Sequence, residues 1–472
     1  MESELESMRQ YFKSGNTKDA SWRLSQLKGL LLFIKENEAE IFKALKEDLG
    51  KPPVEAFRDE VGTLIKSINF ALKGLKNWMS SQKIKLPKIA VSSYAELVPQ
   101  PLGLVLIIST WNFPFGNTMV LKPSELAPAC SSLLANVMPT YLDTQAIKVI
   151  QGGPSVGEQL LQQKWDKIFF TGSARVGRIV MSAAVKHLTP VVLELGGKCP
   201  AVVDSLSSSW DQQVAANRIV VSKFGNCTGQ ACIAIDYILV EKKFASTLVE
   251  LMKDSIKNMF GDNPRDSNTM GRIVNKHHFL RLKNLLSDLA VKKSVVHGGS
   301  MDENNLFIEP TILLDPPLQA EIMTDEIFGP LLPIITLEKV EDSIDFINSK
   351  PKALAIYAFT KNEPFRRRMV AETSSGSLVF NDAVIQYLVD ALPFGGIGES
   401  GIGKYHGKFS FDTFTHHKAV ARRSFLVDFW FRFPPWNVHK LMLFETAYNL
   451  DYFGLLLVIL GLKKRQRNTQ GI

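Results

Sequence analysis

The sequence has few cysteines for its length: four in 472 residues, at positions 130, 199, 227 and 232. Four are too few to cross-link a chain of this size, and none belongs to a C-x-x-C pair of the kind that structural zinc sites use. We therefore predict a protein of a reducing compartment, the cytoplasm, without a resident metal. The acidic N-terminus has no apolar signal-peptide core, which argues against secretion.

Repeats and low-complexity segments are also missing, and 45% hydrophobic with 22% charged residues is the composition of an ordinary folded enzyme. The net charge of +8 would suit a nucleic-acid binder, but from residue 421 onward there are eight Lys/Arg against three Asp/Glu. The excess positive charge is therefore concentrated in the tail, and we expect no nucleic-acid partner.

Hydrophobic patterning divides the chain into two α/β series. Residues 1–80 predict amphipathic helices, and the near-continuous apolar run at 102–109 predicts a strand buried on both faces, as in parallel sheets. Strand-like and helix-like segments then alternate to residue 195, which indicates a doubly wound α/β domain. A second alternating series, from 210 to about 382, predicts another α/β domain, and a cleft between the two is the expected place for a ligand.

The segment 169–177, Phe-Phe-Thr-Gly-Ser-Ala-Arg-Val-Gly, joins a predicted strand to a predicted helix. Gly172 permits a tight turn, Ser173 begins the helix, and Gly177 would let that helix pack closely. The free N–H groups and positive dipole end of the helix would suit a pyrophosphate. The segment is not G-x-G-x-x-G, however, so a simple turn is the other interpretation of these glycines.

Two reactive side chains stand in apolar surroundings. Glu194 ends a predicted strand: it either faces solvent where the strand leaves the sheet, or it is a desolvated carboxylate with a raised pKa that could activate water. Cys232 lies between a predicted helix and a predicted strand, near the expected cleft. It is either a small buried hydrophobic residue or a nucleophile, and Cys227 is either an inert neighbour or an oxidation partner.

Seven short motifs occur in the order found in one enzyme family. They are Trp111-Asn112-Phe113-Pro114-Phe115, Lys122-Pro123-Ser124-Glu125, Phe170-Thr171-Gly172-Ser173, Glu194-Leu195-Gly196-Gly197-Lys198, Gly229-Gln230-Ala231-Cys232, Glu326-Ile327-Phe328-Gly329-Pro330 and Pro393-Phe394-Gly395-Gly396. One motif could arise by chance, but seven in order could not. Over residues 5–425 the chain therefore resembles the aldehyde dehydrogenase family, and within it the branch of class 3 and fatty aldehyde dehydrogenases.

The resemblance implies an α/β fold of the aldehyde dehydrogenase type, with a doubly wound cofactor-binding domain, a second α/β catalytic domain and a small oligomerisation ribbon. We predict N-terminal helices, ribbon and dinucleotide-binding domain in 1–194, the catalytic domain in 195–400, the return to the ribbon in 401–424, and an apolar and basic tail in 425–472. The resemblance also implies a homodimer.

By the same resemblance, three residues carry the chemistry of NAD(P)-dependent aldehyde oxidation. Cys232 attacks the aldehyde carbon, and the side-chain amide of Asn112 with the backbone N–H of Cys232 holds the developing oxyanion. After hydride transfer to the nicotinamide, Glu194 activates the water that hydrolyses the thioester. The expected substrates are medium- or long-chain fatty aldehydes, and the products are carboxylic acids.

The resemblance assigns cofactor contacts to further positions. Lys122 and Glu125 would contact the adenosine ribose, Ser173 the pyrophosphate, Glu326 the nicotinamide ribose, and Phe328 the nicotinamide ring. The alternative is that the two charged residues are ordinary surface groups and that the phenylalanine is part of the core. A carboxylate beside the ribose would repel a 2′-phosphate, which favours NAD, with NADP as a possible second cofactor.

The chain departs from the family between 109 and 118, where only residues 110–117 intervene. Parallel neighbouring strands need a connection of about a dozen residues, usually a helix, and that helix is missing, as if an exon were skipped. We expect the segment that carries Asn112 to be straightened and part of the sheet to lose its apolar cover. The alternative function is therefore a splice-type variant without catalysis that only binds a cofactor or pairs subunits.

The tail contains two strongly apolar runs, 425–431 and 452–462, and residues 463–465 (Lys-Lys-Arg) close the second one. Eleven residues are too few to span a bilayer, which takes about 20. Aromatic and basic side chains together suit an anionic membrane surface, such as that of the endoplasmic reticulum, to which the protein would attach peripherally. A tail that packs over the catalytic domain or a partner subunit is the equally weighted alternative.

Overall fold

A computed structural model of the chain describes residues 1–87, 93–113, 120–426 and 428–462. The described residues form two compact units. The larger unit comprises 1–78 and 101–415, and the smaller one belongs to 79–100 and 416–472. The domain bounds predicted above divide the chain by function, into cofactor-binding and catalytic domains, whereas these units are defined by compactness. The predicted bounds therefore remain a prediction.

The chain alternates between helices and strands over most of its length. The helices are α1 (Glu2–Ser14), α2 (Ala20–Glu36), α3 (Glu38–Leu49), α4 (Pro53–Ala56), α5 (Gly62–Trp78), α6 (Pro128–Asn136), α7 (Pro154–Leu161), α8 (Ala174–Val185), α9 (Ser209–Phe224), α10 (Lys242–Phe260), α11 (Lys276–Leu285), α12 (Leu289–Lys293), α13 (Glu321–Thr324), α14 (Asp342–Asn348), α15 (Glu363–Glu372), α16 (Gly407–Thr413), α17 (Val438–Tyr448) and α18 (Tyr452–Ile459). The strands are β1 (Gln82–Ile84), β2 (Ser93–Pro101), β3 (Val105–Ile108), β4 (Val120–Lys122), β5 (Lys148–Val149), β6 (Lys167–Gly172), β7 (Val191–Leu195), β8 (Pro200–Val203), β9 (Tyr237–Glu241), β10 (Val295–His297), β11 (Met301–Asp302), β12 (Phe307–Ile308), β13 (Thr311–Leu314), β14 (Leu331–Leu337), β15 (Ala355–Phe359), β16 (Ser377–Phe380), β17 (Gly401–Ile402) and β18 (Thr415–Arg423).

The larger unit contains a six-stranded sheet in the order β17-β7-β6-β3-β4-β5. The strands β3 to β7 run parallel, and β17 joins the β7 edge in the antiparallel direction. The apolar run of β3 forms a strand buried in the interior, as its composition predicts. Helix α8 begins where the Ser173 hydroxyl accepts a hydrogen bond from the Val176 N–H and so satisfies one free donor of the first turn.

The strands β3 and β4 are parallel neighbours, with Leu106 opposite Val120 and Ile108 opposite Lys122. The pairing forms although the connection has no room for the family's helix. Residues 114–119 lie outside the described residues. In the described part the prediction of a straightened segment is wrong, because Trp111, Asn112 and Phe113 form a bend in which Asn112 is hydrogen-bonded to Gln230 and Lys51.

The expected loss of apolar cover is wrong for the described parts of these strands, because Leu106 and Val120 are fully buried. The physical reason is that side chains from other helices cover this face: Leu5 and Met8 of α1 and Leu160 of α7 belong to the same buried cluster.

A second sheet in the larger unit has seven strands, in the order β10-β13-β14-β9-β8-β15-β16. Its strands are parallel except for β10, which pairs antiparallel with β13. The largest buried apolar cluster of the described residues forms around it, with α9 and α10 supplying much of the helical cover. The two sheets confirm the prediction of two α/β series with mostly parallel strands.

The smaller unit has a three-stranded sheet, in the order β1-β2-β18, followed by α17 and α18. The two tail helices pack on each other through a small cluster formed by Met442, Leu443 and Val458. Among the described residues, none of the helices has the length and apolar character that a bilayer crossing requires. The predicted basic group at 463–465 lies outside the described residues.

Candidate active site

A cavity of about 920 Å³ lies within the larger unit, and elements of both its sheets contribute residues to the wall. Most of the predicted site residues line this cavity: Asn112, Gly172, Ser173, Glu194, Cys232, Glu326 and Phe328. Three predicted site residues, Lys122, Glu125 and Gly177, do not line it. The structure thus brings the three proposed catalytic side chains into one enclosed space.

Glu194 and Cys232 are in direct contact in this cavity. Glu194 is 2% exposed, its carboxylate lies close enough to the Cys232 thiol and the Thr171 hydroxyl to interact with both, and its Oε1 atom has no hydrogen-bond partner among the described residues. Burial raises the pKa of Glu194 to about 7. Of the two interpretations of Glu194 given above, a solvent-facing side chain or a desolvated carboxylate, the structure has the second. Near neutral pH this carboxylate can both accept and release a proton.

Asn112 is fixed at both its backbone and its side chain. Its amide nitrogen donates to the Gln230 carbonyl over 2.9 Å, its amide oxygen accepts from the Thr110 hydroxyl over 2.6 Å, and its own carbonyl accepts from Lys51 Nζ over 2.8 Å. Because Gln230 lies two residues before Cys232, the first of these bonds connects the Asn112 amide to residues 225–232. We call these residues the nucleophile loop, since they carry the proposed nucleophile Cys232. An amide nitrogen carries two hydrogens, so one remains for a ligand.

The backbone before Cys232 adopts three successive left-handed conformations, with φ of 48° at Cys227, 54° at Thr228 and 77° at Gly229. Such conformations are costly for residues other than glycine and persist where the surroundings fix them. Gln230 supplies part of that fixation: its side-chain amide donates to two backbone carbonyls and its oxygen accepts the Val274 N–H over 3.1 Å. The loop is therefore rigid before any substrate arrives.

Lys51 is fully buried beneath this loop and pairs with Glu60 at 2.6 Å. Its ammonium also lies 4.4 Å from the centre of the Phe113 ring. Nearby, the Glu55 carboxylate accepts the Cys227 N–H over 2.6 Å. A charge without a partner in such a place would cost several kcal/mol, so these side chains from the N-terminal helices hold Asn112 and the nucleophile loop in one arrangement.

Helix α8 points its N-terminus at the cavity, because Gly172, Ser173 and Arg175 all line the wall. A Cβ atom at Gly177 would lie 2.8 Å from Leu195 Cδ2, so the glycine permits the close packing of α8 on β7 rather than contact with a ligand. Free N–H groups and an arginine at one helix end fit the pyrophosphate of a nicotinamide cofactor.

Lys122 and Glu125 form an ion pair at 2.6 Å. Lys122 is buried at the end of β4, while the side chain of Glu125 is 38% exposed. Lys122 is therefore not an ordinary surface charge, whereas Glu125 remains partly exposed.

Glu326 and Phe328 approach the site from the second sheet. The Glu326 carboxylate packs against Gly196 so closely that a Cβ atom there would collide with it, and it accepts the Gly197 N–H. Burial raises the pKa of Glu326 to about 8. The Phe328 ring meets the Trp111 ring edge to face, with centres 5.4 Å apart, so it faces the cavity and is not plain core.

Sequence reasoning missed three side chains at this site. Thr171 could have been found, because it precedes Gly172 in a quoted motif and the parallel register places it beside Glu194. Gln230 also stands in a quoted motif, but its contacts, like those of Lys51, are with residues distant in sequence, for which the local sequence gives no signal.

Comparison with known proteins agrees with this geometry. The sequence profile of the "Aldehyde dehydrogenase family" matches residues 1–420. The chain belongs to the aldehyde dehydrogenase family. It is 51% identical to "Aldehyde dehydrogenase family 3 member F1" of Arabidopsis thaliana, over 98% of this chain and 99% of that protein. It is 43% identical to "Aldehyde dehydrogenase family 3 member B1" of Bos taurus, over 94% and 96% of the two chains.

Comparison with solved structures also supports the aldehyde dehydrogenase fold. The substrate-bound structure of Staphylococcus aureus AldH covers 96% of this chain and 99% of its own, with a TM-score of 0.90 and 37% identity. The fold and the family-3 branch are therefore confirmed. The chain is an oxidoreductase that oxidises aldehydes with a nicotinamide cofactor, and the comparisons give no support to the alternative of a non-catalytic protein.

The accessibility of the thiols allows a first test of this site. Cys232 is the only partly exposed cysteine, whereas Cys130, Cys199 and Cys227 are buried, and burial raises the pKa of each of those three thiols. We expect iodoacetamide to modify the native protein mainly at Cys232, with a rate that rises with pH, because burial and Glu194 also raise its thiol pKa.

In that experiment Cys232→Ala should lower native labelling by at least roughly tenfold, because the inert thiols stay buried. The matched variant Cys130→Ala should leave the labelling rate unchanged. Peptide mass spectrometry identifies the modified residue, and equally fast modification of a second cysteine would contradict the described burial.

Proposed function

We propose that this aldehyde dehydrogenase oxidises medium- or long-chain fatty aldehydes to carboxylic acids through a thioester on Cys232. The Cys232 thiol passes its proton to Glu194 as its sulfur adds to the carbonyl carbon. The carbonyl oxygen then takes up negative charge, and the Asn112 amide and the Cys232 backbone N–H donate hydrogen bonds to it. A bound nicotinamide supplies the acceptor for the hydride that leaves the former carbonyl carbon.

Glu194 acts a second time in the hydrolysis of the thioester. Once it has released the thiol proton to solvent, its carboxylate removes a proton from water, the water oxygen forms a bond to the carbonyl carbon, and the bond from carbon to the Cys232 sulfur breaks. A pKa of about 7 suits both tasks, since the ionised fraction increases as the pH rises through that value.

The observation that carries the proposal is that the Cys232 thiol and the Glu194 carboxylate interact at close range inside a cavity that Asn112 also lines. A nucleophile within hydrogen-bond reach of its base is the arrangement that covalent catalysis requires. The hydrogen bond from Asn112 to Gln230 supports the proposed role of Asn112 as oxyanion donor. It keeps the Asn112 amide beside the nucleophile loop although the connection between β3 and β4 is short.

For the cofactor we propose NAD. Ser173 and the first turn of α8 would receive the pyrophosphate, Glu326 the nicotinamide ribose, and Phe328 the side of the ring. Lys122 and Glu125 would contact the adenosine ribose, and the carboxylate of Glu125 would repel the 2′-phosphate of NADP. The carboxylate of Glu326 lies at the cavity wall, which supports its part in this assignment.

The proposed reaction predicts NADH production by the purified chain with a long-chain aldehyde such as hexadecanal. Cys232→Ala should lower kcat by at least about a thousandfold, because covalent catalysis is lost with the sulfur. Cys130→Ala, at a residue that does not line the cavity, should retain activity. Absorbance at the NADH band measures the rate, and full activity of Cys232→Ala would rule out the thioester.

We propose that the tail meets a membrane surface, so that a cytoplasmic protein attaches peripherally to the endoplasmic reticulum or another membrane. Phe425, Trp436 and Phe453 are each more than half exposed in the smaller unit. We also propose a homodimer, which is supported by the exposed apolar residues Val185 and Leu188 at the end of α8. The preference for long aldehydes rests on the family branch and on this tail.

Sedimentation with vesicles tests the membrane proposal. The full chain should bind vesicles that contain phosphatidylserine more tightly than neutral ones. The double variant Phe425→Ser/Trp436→Ser should bind several-fold more weakly, because aromatic side chains anchor at the interface. Trp210→Ser, which removes a tryptophan of the larger unit that is 75% exposed, is the matched control and should bind normally. Equal binding by all three proteins would favour a tail that packs on protein.

A further inference from the structure

A buried ion pair holds the segment 322–328, which carries Glu326 and Phe328. Lys198 pairs with Asp236, and both side chains are more than nine-tenths buried. The Lys198 ammonium also donates to the Ile322 carbonyl over 2.8 Å and to the Asp325 carbonyl over 2.9 Å. An ammonium has three N–H donors, so all of them are used, and two of them anchor the segment.

Asp236, the other member of the ion pair, also binds the backbone of the segment 322–328, at the residue after Glu326. Asp236 Oδ1 accepts the Ile327 N–H over 3.1 Å. In addition, Arg281 of α11 donates to the Ile327 carbonyl over 2.6 Å. The backbone is therefore held immediately before Glu326, at Asp325, and immediately after it, at Ile327.

Glu326 and Phe328 have the conformations that such anchoring would impose. Glu326 stays against Gly196 although burial opposes its charge, and Phe328 has a φ of 51°, a left-handed conformation that a bulky residue rarely adopts. Since strained backbone persists only where its surroundings fix it, the anchors on both sides of Glu326 supply a physical reason for this geometry.

The same turn connects the anchor with the catalytic base. Glu194 is on β7, Gly197 donates its N–H to Glu326, and Lys198 follows directly. A displacement of Lys198 would therefore move the Glu326 carboxylate relative to Glu194, as well as relative to the cofactor.

We propose that Lys198 and Asp236 are positioning residues for the nicotinamide cofactor, which act by holding Glu326 and Phe328 in the cavity. The inference rests on the proposed function, in which these two residues contact the nicotinamide half of the cofactor. Lys198 and Asp236 do not take part in the chemical steps. An apolar pair at these positions could not replace them, because the Ile322 and Asp325 carbonyls and the Ile327 N–H would lose their partners.

The test compares full-length Lys198→Met and Asp236→Asn with the wild-type protein. Methionine keeps the stem of the lysine without its donors, and asparagine keeps an oxygen for the Ile327 N–H while it removes the charge. Lys253→Met, which breaks the exposed pair of Lys253 with Glu250 at 2.8 Å, is the matched control.

Two measurements are made on each protein. Hydrogen–deuterium exchange without cofactor reports the mobility of peptides that cover 322–328, and fluorescence titration reports the dissociation constant for NADH. In Lys198→Met we expect faster exchange of this segment and an affinity for NADH that is lower by about tenfold to a hundredfold, the range that a small misplacement of a binding group can cost. Asp236→Asn should shift both readouts in the same direction, and Lys253→Met neither.

A double-mutant comparison shows whether the effect passes through Glu326. If it does, Glu326→Gln should weaken NADH binding much less in the Lys198→Met background than in the wild-type background. A purely structural role would leave the two effects independent. If Lys198→Met does not fold, Asp236→Asn carries the same comparison.

Three results would overturn the inference: unchanged exchange of 322–328 in both variants, faster exchange with an unchanged NADH affinity, or independent effects of the Lys198 and Glu326 substitutions. Failure of the proposed function gives a different pattern. In that case the wild-type protein itself would not bind NADH or turn over aldehyde, and the positioning role would be refuted together with it.

Discussion

The hydrogen bond from the Asn112 amide to the Gln230 carbonyl joins the two sheets of the larger unit at the point where the chemistry takes place. Asn112 follows β3 of the first sheet, and Gln230 precedes Cys232 in the loop between α9 and β9, a strand of the second sheet. The relative position of the proposed oxyanion donor Asn112 and the proposed nucleophile Cys232 therefore depends on this bond. Lys51 reinforces it from below, by binding the Asn112 carbonyl. Asn112 makes both contacts although the connection between β3 and β4 has no room for the family's helix.

Buried charge is used at this site to fix geometry. Lys51 and Lys198 are each paired with one carboxylate, and each also donates to backbone carbonyls of a segment that carries a functional side chain. Such pairs add little net stability, because desolvation offsets most of the attraction. Their effect is to restrict the backbone to one arrangement. Glu194 has no cationic partner among the described residues, and burial gives it the raised pKa that its proposed role as general base needs.

Much of this could be predicted from the sequence, and the limits have physical causes. The apolar run of β3 predicted a buried parallel strand because such strands lack polar faces. The motifs predicted that Glu194 and Cys232 come together, although Glu194 is on β7 of the first sheet and Cys232 lies in the loop before β9 of the second. The cover of the first sheet by α1 could not be predicted, because an amphipathic pattern does not tell which surface it packs against. Lys198 was quoted within a motif, but its role depends on carbonyls that are distant in sequence.

The most direct test of the central claim is intact-mass measurement of Glu194→Gln after it is mixed with NAD and a long-chain aldehyde and quenched in acid. If Glu194 serves both steps as described, the variant should still form the thioester slowly at alkaline pH, where solvent can remove the thiol proton, but should hydrolyse it more slowly still. The protein mass should then increase by one acyl group, which peptide mapping locates on Cys232. A variant that accumulates no acyl adduct while it continues to release carboxylic acid at the wild-type rate would contradict the account.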